Sequence, residues 1–323
     1  MRLGIVGCGL IGQKRAAAAQ GDEIVLVADL DSGRAEALAA KTGARVAKDW
    51  RALVGAELDV VIVATTHENL APIAIAALEA GKHVLVEKPA GMNVAEVAAV
   101  AAAARKAGQV CKVGFNHRFH PAIWKAKTLV DEGAVGPMMF VRGRYGHGGR
   151  LGMEKEWRAI PELSGGGELI DQGSHLIDLS RWFLGELDLA FAATPTLFWD
   201  MKVDDNCFLA LKNEGGKLAW LHASWSEWKN MFSLEIYGRD GKLAIEGLGG
   251  SYGTEKLTFY KMLPQMGPPE TTVWDYPQPD RSWEAEFADF ADAIASGRRA
   301  TGDIEDALAM HKIIAAAYKE KIP

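Results

Sequence analysis

Along the first third of the chain, short uninterrupted apolar runs alternate with longer segments rich in Ala, Leu and Glu. The runs cover residues 3–6, 24–28, 60–63, 83–86 and 110–113, and the segments between them cover 11–20, 33–41, 70–80 and 93–107. Continuous short runs predict strands buried on both faces, and the longer segments predict helices. Strands of that kind separated by helices imply a parallel sheet covered on both sides. The alanine-rich stretch 95–104 predicts a helix whose small side chains pack close to the sheet.

Beyond Phe119 the alternation ends. A helix is predicted over 121–132, followed by strands at 137–145, 206–212, 216–225, 232–237 and 242–246. Phe232, Leu234 and Ile236 alternate with Ser233 and Glu235, the pattern of a sheet with one buried face. Gly238-Arg239-Asp240-Gly241 predicts a hairpin connection. Gly165-Gly166-Gly167 opens a predicted helix over 168–184, and the proline-rich stretch 264–279 predicts a long irregular connection. Trp283, Phe287, Phe290 and Ile294 form one apolar stripe, and Ile304, Leu308 and Ile314 another; both predict core-packing helices.

Composition narrows the class. A chain of 323 residues suggests about two domains. It is 49% apolar and 24% charged, and its 36 basic against 42 acidic residues leave a net charge of −6, which argues against a nucleic-acid partner. No apolar run approaches the roughly 18 residues of a membrane span. The first residues enter a strand at once, without a secretory pattern. Cys8, Cys111 and Cys207 are too few and too scattered for a disulfide framework or a zinc cluster. The expectation is a cytoplasmic enzyme without a metal.

The chemistry starts at Gly7-Cys8-Gly9-Leu10-Ile11-Gly12, between the first strand and the first helix. Such glycine spacing alone is weak, but a strand precedes it, a helix follows, and Asp29 ends the next strand. In a dinucleotide fingerprint Gly7 makes the tight turn, Gly9 admits the pyrophosphate, and Gly12 lets helix and strand pack. The phosphates then sit on free N–H groups at the helix start. A carboxylate at Asp29 accepts from both ribose hydroxyls and repels a 2′-phosphate, which favours NAD over NADP. Asp31 adds negative charge; Arg34 softens the preference only if it leaves solvent. Thr65 and Thr66 end a strand where ligands bind in open parallel sheets; their hydroxyls contact cofactor or cap the next helix, and for His67 capping is the better reading. Glu87-Lys88-Pro89 ends another strand, because Pro89 cannot continue a ladder. Beside a cofactor, Lys88 would donate a hydrogen bond to a reacting oxygen; otherwise it is a solvated surface lysine.

Four blocks carry a resemblance: residues 7–12, residues 71–89 ending in Glu87-Lys88-Pro89, residues 113–119 with Asn116-His117-Arg118, and residues 165–179 with Asp171 and His175. In this order the chain resembles the Gfo/Idh/MocA family of oxidoreductases. Two positions depart from the common pattern: Asn116-His117-Arg118 stands where many relatives have Asn-Arg-Arg, and Ala64-Thr65-Thr66 where many have Ala-Thr-Pro. The resemblance implies an α/β protein, with an N-terminal Rossmann dinucleotide-binding domain over 1–118 and a C-terminal α+β domain over 119–323. The latter carries a large open, mostly antiparallel sheet, whose outer face implies a homo-oligomer, dimer or tetramer.

It also implies a nicotinamide-dependent oxidoreductase acting on a secondary alcohol of a sugar, sugar derivative or cyclitol. The catalytic lysine falls on Lys88 and the Asp-x-x-x-His pair on Asp171 and His175. From spacing alone His175 reads better as a buried helix histidine; the family match makes it the general base. Gly7, Gly9, Leu10, Ile11, Gly12, Asp29, Thr65, Thr66, Glu87, Lys88, Trp157 and Arg158 would line the cofactor. Lys88, Asn116, Arg118, Arg144, Asp171 and His175 would meet the substrate. Arg142 reads as solvated, and His175 could also pair with Asp178. Two other activities fit the motifs: NAD-dependent glycoside cleavage, which leaves no net change in cofactor, and a dinucleotide-binding sensor without turnover.

Overall fold

A computed structural model describes residues 1–19 and 21–319. The chain divides into two compact units. Of the described residues, the first is built from 1–115, 162–165 and 283–311; the second from 116–161, 166–282 and 312–319.

The first unit holds six strands, β1 (Arg2–Val6), β2 (Glu23–Ala28), β3 (Arg45–Val46), β4 (Val60–Val63), β5 (His83–Val86) and β6 (Cys111–Val113). They lie in the order β3-β2-β1-β4-β5-β6, all parallel. The crossovers are α1 (Leu10–Ala18), α2 (Ser32–Thr42), α3 (Trp50–Val54), α4 (His67–Glu79) and α5 (Val94–Ala107). Five strands and four helices fall where the apolar pattern places them; the expected helix end at Gln20 lies outside the described residues. The pattern misses β3, an exposed two-residue edge strand, and α3, whose five residues are too few to show a period. The strand order reverses between β1 and β4, so a crevice opens at their carboxyl ends, on the side where β1 runs into Gly7.

The core of this unit is apolar and includes residues from far along the chain. Phe287 and Phe290 of the helix Ser282–Ser296 are buried with Leu3, Ile5, Val27 and Leu85, and Trp283 and Ile294 pack against them. The predicted stripe is therefore real, but it packs on the first sheet rather than within the 119–323 stretch. Arg15 of α1, wholly buried, donates from Nε to Glu87 at 2.6 Å and from Nη1 to Glu286 at 2.5 Å. Gly114 leaves the room: a Cβ there would lie 2.6 Å from Arg15 Nη2. Burial pushes the Glu286 carboxyl up, and Arg15 opposes that shift.

The second unit begins with α6 (Pro121–Asp131) and an eight-stranded sheet. Its strands are β7 (Met138–Gly146), β8 (Asp188–Ala193), β9 (Asn206–Lys212), β10 (Leu218–Ser224), β11 (Met231–Gly238), β12 (Gly241–Glu246), β13 (Glu255–Lys261) and β14 (Glu270–Tyr276). The order is β14-β13-β12-β11-β7-β10-β9-β8, antiparallel throughout except between β7 and β10. Phe232, Leu234 and Ile236 face inward as expected, with Val141, Leu221, Leu243 and Ile245. The helices α6 and Ser174–Leu184 lie against the sheet. The hairpin at Arg239-Asp240 joins the paired Gly238 and Gly241. One expectation fails: the stretch 264–279 contains β14. That strand is almost entirely exposed, with no buried face to mark it in sequence, and is held by backbone pairing along β13. Among the described residues no helix is long and apolar enough to cross a membrane.

Candidate functional site

In the first unit the glycine loop leaves β1 and opens α1. Gly7 has φ +94°, and a Cβ there would stand 2.3 Å from the Ala64 carbonyl oxygen, so only glycine makes this turn. A Cβ on Gly12 would lie 1.9 Å from the Gly7 carbonyl oxygen. Gly9, the residue that caps α1, has nothing within 4 Å of its Cβ position, and no side chain caps the helix. Two glycines thus close the turn and the third keeps an open approach to uncapped N–H groups, as a pyrophosphate requires. Leu10 is 72% exposed at the mouth of the loop, with Ile11 half-buried behind it.

Asp29 ends β2 with its carboxylate held on both oxygens, by the Cys8 N–H at 2.6 Å and the Asp31 N–H at 2.8 Å. The residues present fit a dinucleotide with a free 2′-hydroxyl: an anchored carboxylate follows the glycine turn at the end of the second strand. Burial, and then Asp29, push the Cys8 thiol up to about 12, so it stays protonated. Asp31 has a different task, since it caps α2 by accepting the Arg34 N–H at 3.1 Å. Arg34 remains exposed beside it.

Thr65 and Thr66 are half-buried after β4. The Thr66 hydroxyl donates to Glu68 at 2.7 Å rather than capping α4. His67 does not cap either: it is buried, with Nδ1 2.7 Å from the Ser164 carbonyl oxygen. Glu87, expected beside the cofactor, is instead committed to Arg15. Lys88 is half-buried, its bond to Pro89 is cis, and Ala90 follows with φ +72°. His311 reaches this turn from the helix Ile304–Lys319, with Nε2 2.9 Å from the Pro89 carbonyl oxygen. Burial lowers its pKa to about 4, so the neutral ring donates that hydrogen bond.

In the second unit Asp171 and His175 do not share a regular helix. Residues Leu169–Gly173 form one π-helical turn, and the α-helix runs over Ser174–Leu184. Wide turns of this kind recur at functional sites because they reset which side chains face inward. Asp204, buried, holds the start of this element by accepting the Gly167 and Leu169 N–H groups at 3.0 and 2.7 Å. Tyr318 donates to the same carboxylate at 2.9 Å.

Asp171 is half-buried and accepts from Arg158 Nε at 3.1 Å; the Arg158 guanidinium lies 4.5 Å from the Trp157 ring centre. His175 is buried, and its ring stacks on that of His117. Tyr145 stands edge-on to the His175 ring and tilted against that of His117. Its hydroxyl is pushed well up by burial and, next, by Tyr252. Tyr252 in turn accepts from Gln172 at 3.0 Å. Burial also lowers the pKa of half-buried His147, with Asp171 pulling the other way.

Two expected substrate ligands are corrected. Arg118 is buried and makes a two-pronged pair with Asp178, at 2.8 and 2.5 Å. Two of its N–H donors are thereby matched to a protein carboxylate rather than to a substrate anion. Arg144 is exposed on β7, on the face opposite Gly143, against which Leu176 of the His175 helix packs. Alternation along a strand puts Arg144 with Arg142 on the outer face. Asn116 is buried and donates to Ser282 Oγ at 3.0 Å. Residue spacing points to none of Arg15, His117, Tyr145, Gln172 or Tyr252; the one available signal was Tyr145, which the β7 alternation assigns to the inner face.

Residues 1–115 match the oxidoreductase family NAD-binding Rossmann fold, and residues 123–244 match the GFO/IDH/MocA C-terminal domain. Inositol 2-dehydrogenase 2 of Saccharopolyspora erythraea is 34% identical over 228 residues, which are 68% of this chain but 65% of that protein, just under two thirds of its length. D-glucoside 3-dehydrogenase of Escherichia coli is 30% identical over 255 residues, 70% of each chain. In fold, the chain is similar to levoglucosan dehydrogenase in complex with NADH and levoglucosan, with TM-score 0.89 and 24% identity over 99% of this chain and 98% of that one. With both domains matched in order and the glycine turn built as a nucleotide cradle, the chain belongs to the Gfo/Idh/MocA family of oxidoreductases.

Proposed function

We propose that this chain is an NAD-dependent dehydrogenase that oxidises a secondary alcohol of a sugar, sugar derivative or cyclitol. The observation that supports this most is the coexistence of two built sites in one chain. One is the open cradle at Gly7–Gly12 with its anchored Asp29. The other is the buried imidazole of His175, on an element whose previous turn carries Asp171.

Each residue has a role that its chemistry allows. His175 takes the hydroxyl proton, as a neutral imidazole can near physiological pH. Asp171, held by Arg158, accepts a hydrogen bond from a substrate hydroxyl. Lys88 donates to the reacting oxygen and steadies the negative charge that grows there. NAD, when bound, accepts the hydride; Asp29 selects it over NADP. Trp157, Thr65 and Thr66 remain candidates for cofactor contacts.

The open face of the large sheet supports a homo-oligomer, dimer or tetramer. Trp220 and Phe191 are exposed there, and Phe140 stacks on Tyr237. Arg142 and Lys242 alternate with Glu235, so two copies facing each other would match charge of both signs. Three unpaired, buried thiols suit a reducing cytoplasm.

The test is nicotinamide absorbance with NAD against a panel of free sugars, cyclitols, sugar acids and nucleotide sugars. NAD reduction with one group, lost in His175→Ala while NAD still binds, is the expected result. Tight NAD binding with no reduction by any member would overturn a dehydrogenase and leave glycoside cleavage or a sensor.

A further inference from the structure

Two imidazoles that the sequence separates widely lie face to face in the second unit. His117 sits in the short turn Asn116–Phe119, and His175 in the helix Ser174–Leu184. Their ring centres are 3.6 Å apart and their planes 18° apart. Both are buried, at 6% and 5% exposure. The proposed reaction gives work to His175 alone.

His117 is itself held. Its Nδ1 lies 3.2 Å from Asn116 Oδ1, and the amide nitrogen of Asn116 donates to Ser282. With the amide oriented that way, Oδ1 is an acceptor and keeps the His117 proton on Nδ1. Tyr145 of β7 lies tilted against the His117 ring at 5.3 Å, and Phe232 of β11 stands edge-on to it at 6.2 Å. A ring fixed on that many sides is a rigid surface for whatever lies on its face.

We propose that His117 is the positioning residue of the base: it clamps the plane of the His175 imidazole and makes the two rings take up one proton between them. The proposal rests on His175 being that base. Contact at van der Waals separation opposes rotation of the His175 ring, so the ring needs no reorientation to meet a hydroxyl. A single imidazolium is tolerated against a neutral ring. Two positive charges at this distance in a buried site repel strongly, so the pair titrates as a unit.

The chargeable groups around the pair do not supply a substitute. Tyr145 faces both rings and is held neutral by burial. His120 stands edge-on to His117 and is bound to Glu255 of β13. Arg118, next in the turn, is matched by Asp178 of the His175 helix. Asp171, one turn before His175, is paired with Arg158. Glu168, at the start of the same element, and Tyr252, in the loop before β13, add to the upward push on the Tyr145 hydroxyl. Among the described residues, the ring stacked on the base is that of His117.

The experiment uses the full chain with His117→Ala, which removes the ring, and His117→Phe, which keeps a flat ring without a titratable nitrogen. Turnover is measured with a panel sugar that the parent oxidises, NAD binding by fluorescence, and the His175 imidazole by nitrogen NMR titration, which needs no substrate. In His117→Ala, kcat falls about ten- to a hundredfold with NAD binding unchanged; in His117→Phe, most of kcat returns. The parent's His175 signal titrates in two coupled steps, and that of His117→Phe in one. Parental kcat in His117→Ala, or identical His175 titrations in the parent and His117→Phe, overturns the proposal. If His117→Ala fails to fold, the titration of His117→Phe decides. Should His175→Ala keep its turnover, the base assignment fails instead, a result separate from the titration.

Discussion

The His311 imidazole donates to the carbonyl oxygen of Pro89 at 2.9 Å and so fastens, from a helix more than two hundred residues away, the turn that carries Lys88. Burial lowers the His311 pKa from 6.5 to about 4. Below pH 6.5 the unfolded chain takes a proton that the folded chain resists. The contribution is therefore complete above about pH 6.5 and is lost as pH falls toward 4, by up to about 3 kcal/mol. Urea unfolding at pH 7 and pH 4.5 should show a larger loss for the parent than for His311→Gln. Equal losses would contradict a buried neutral imidazole.

Arg15 lies between two carboxylates with no exposure of its own. Replacing it by methionine keeps the volume and leaves Glu87 and Glu286 buried without their cation. Removal of one partner from a buried pair costs about 3–5 kcal/mol. Denaturant midpoints should show that loss at pH 7 and a smaller one near pH 5, where the raised Glu286 carboxyl is more readily neutralised. A loss of the same size at both pH values would assign the effect to packing.

Gly9 and Gly12 separate binding from folding. An alanine at Gly9 meets open space, whereas one at Gly12 meets the Gly7 carbonyl. We expect Gly9→Ala to melt like the parent yet bind NAD at least tenfold more weakly, about 1.4 kcal/mol. Gly12→Ala should lose stability as well. If Gly9→Ala binds NAD normally, the cradle does not hold the pyrophosphate.

We expect Asp29 to select the cofactor. Asp29→Ala removes the carboxylate that accepts from Cys8 and Asp31, and the ratio of NAD to NADP turnover should fall toward one. An unchanged ratio would show that selection lies elsewhere. Two lost hydrogen bonds should lower stability by about 1–3 kcal/mol.

The first sheet was legible because its strands are buried on both faces. Continuous apolar runs at residues 3–6, 60–63 and 83–86 are too short for helices and read as interior strands, and Gly7-x-Gly9-x-x-Gly12 supplies the turn from the first of them into a helix. The edge elements β3, β8 and β14 were not, because a strand with little buried surface is held by backbone pairing, which any residue but proline provides. Resemblance to the family pointed to Lys88, Asp171 and His175, and the structure gives each a defined setting.

By itself, then, the sequence determined the parallel sheet, its glycine turn, the anchored acid at Asp29 and the inward face of β11, all of which depend on local order and periodicity. Only the tertiary structure decided which charges meet. Arg118 turned from substrate to Asp178, Arg158 to Asp171, Glu87 to Arg15, and His117 came to lie on His175. Those pairings join residues 13 to 72 positions apart. A charge's partner is set by where the fold brings chain segments together, and no period along the chain encodes that.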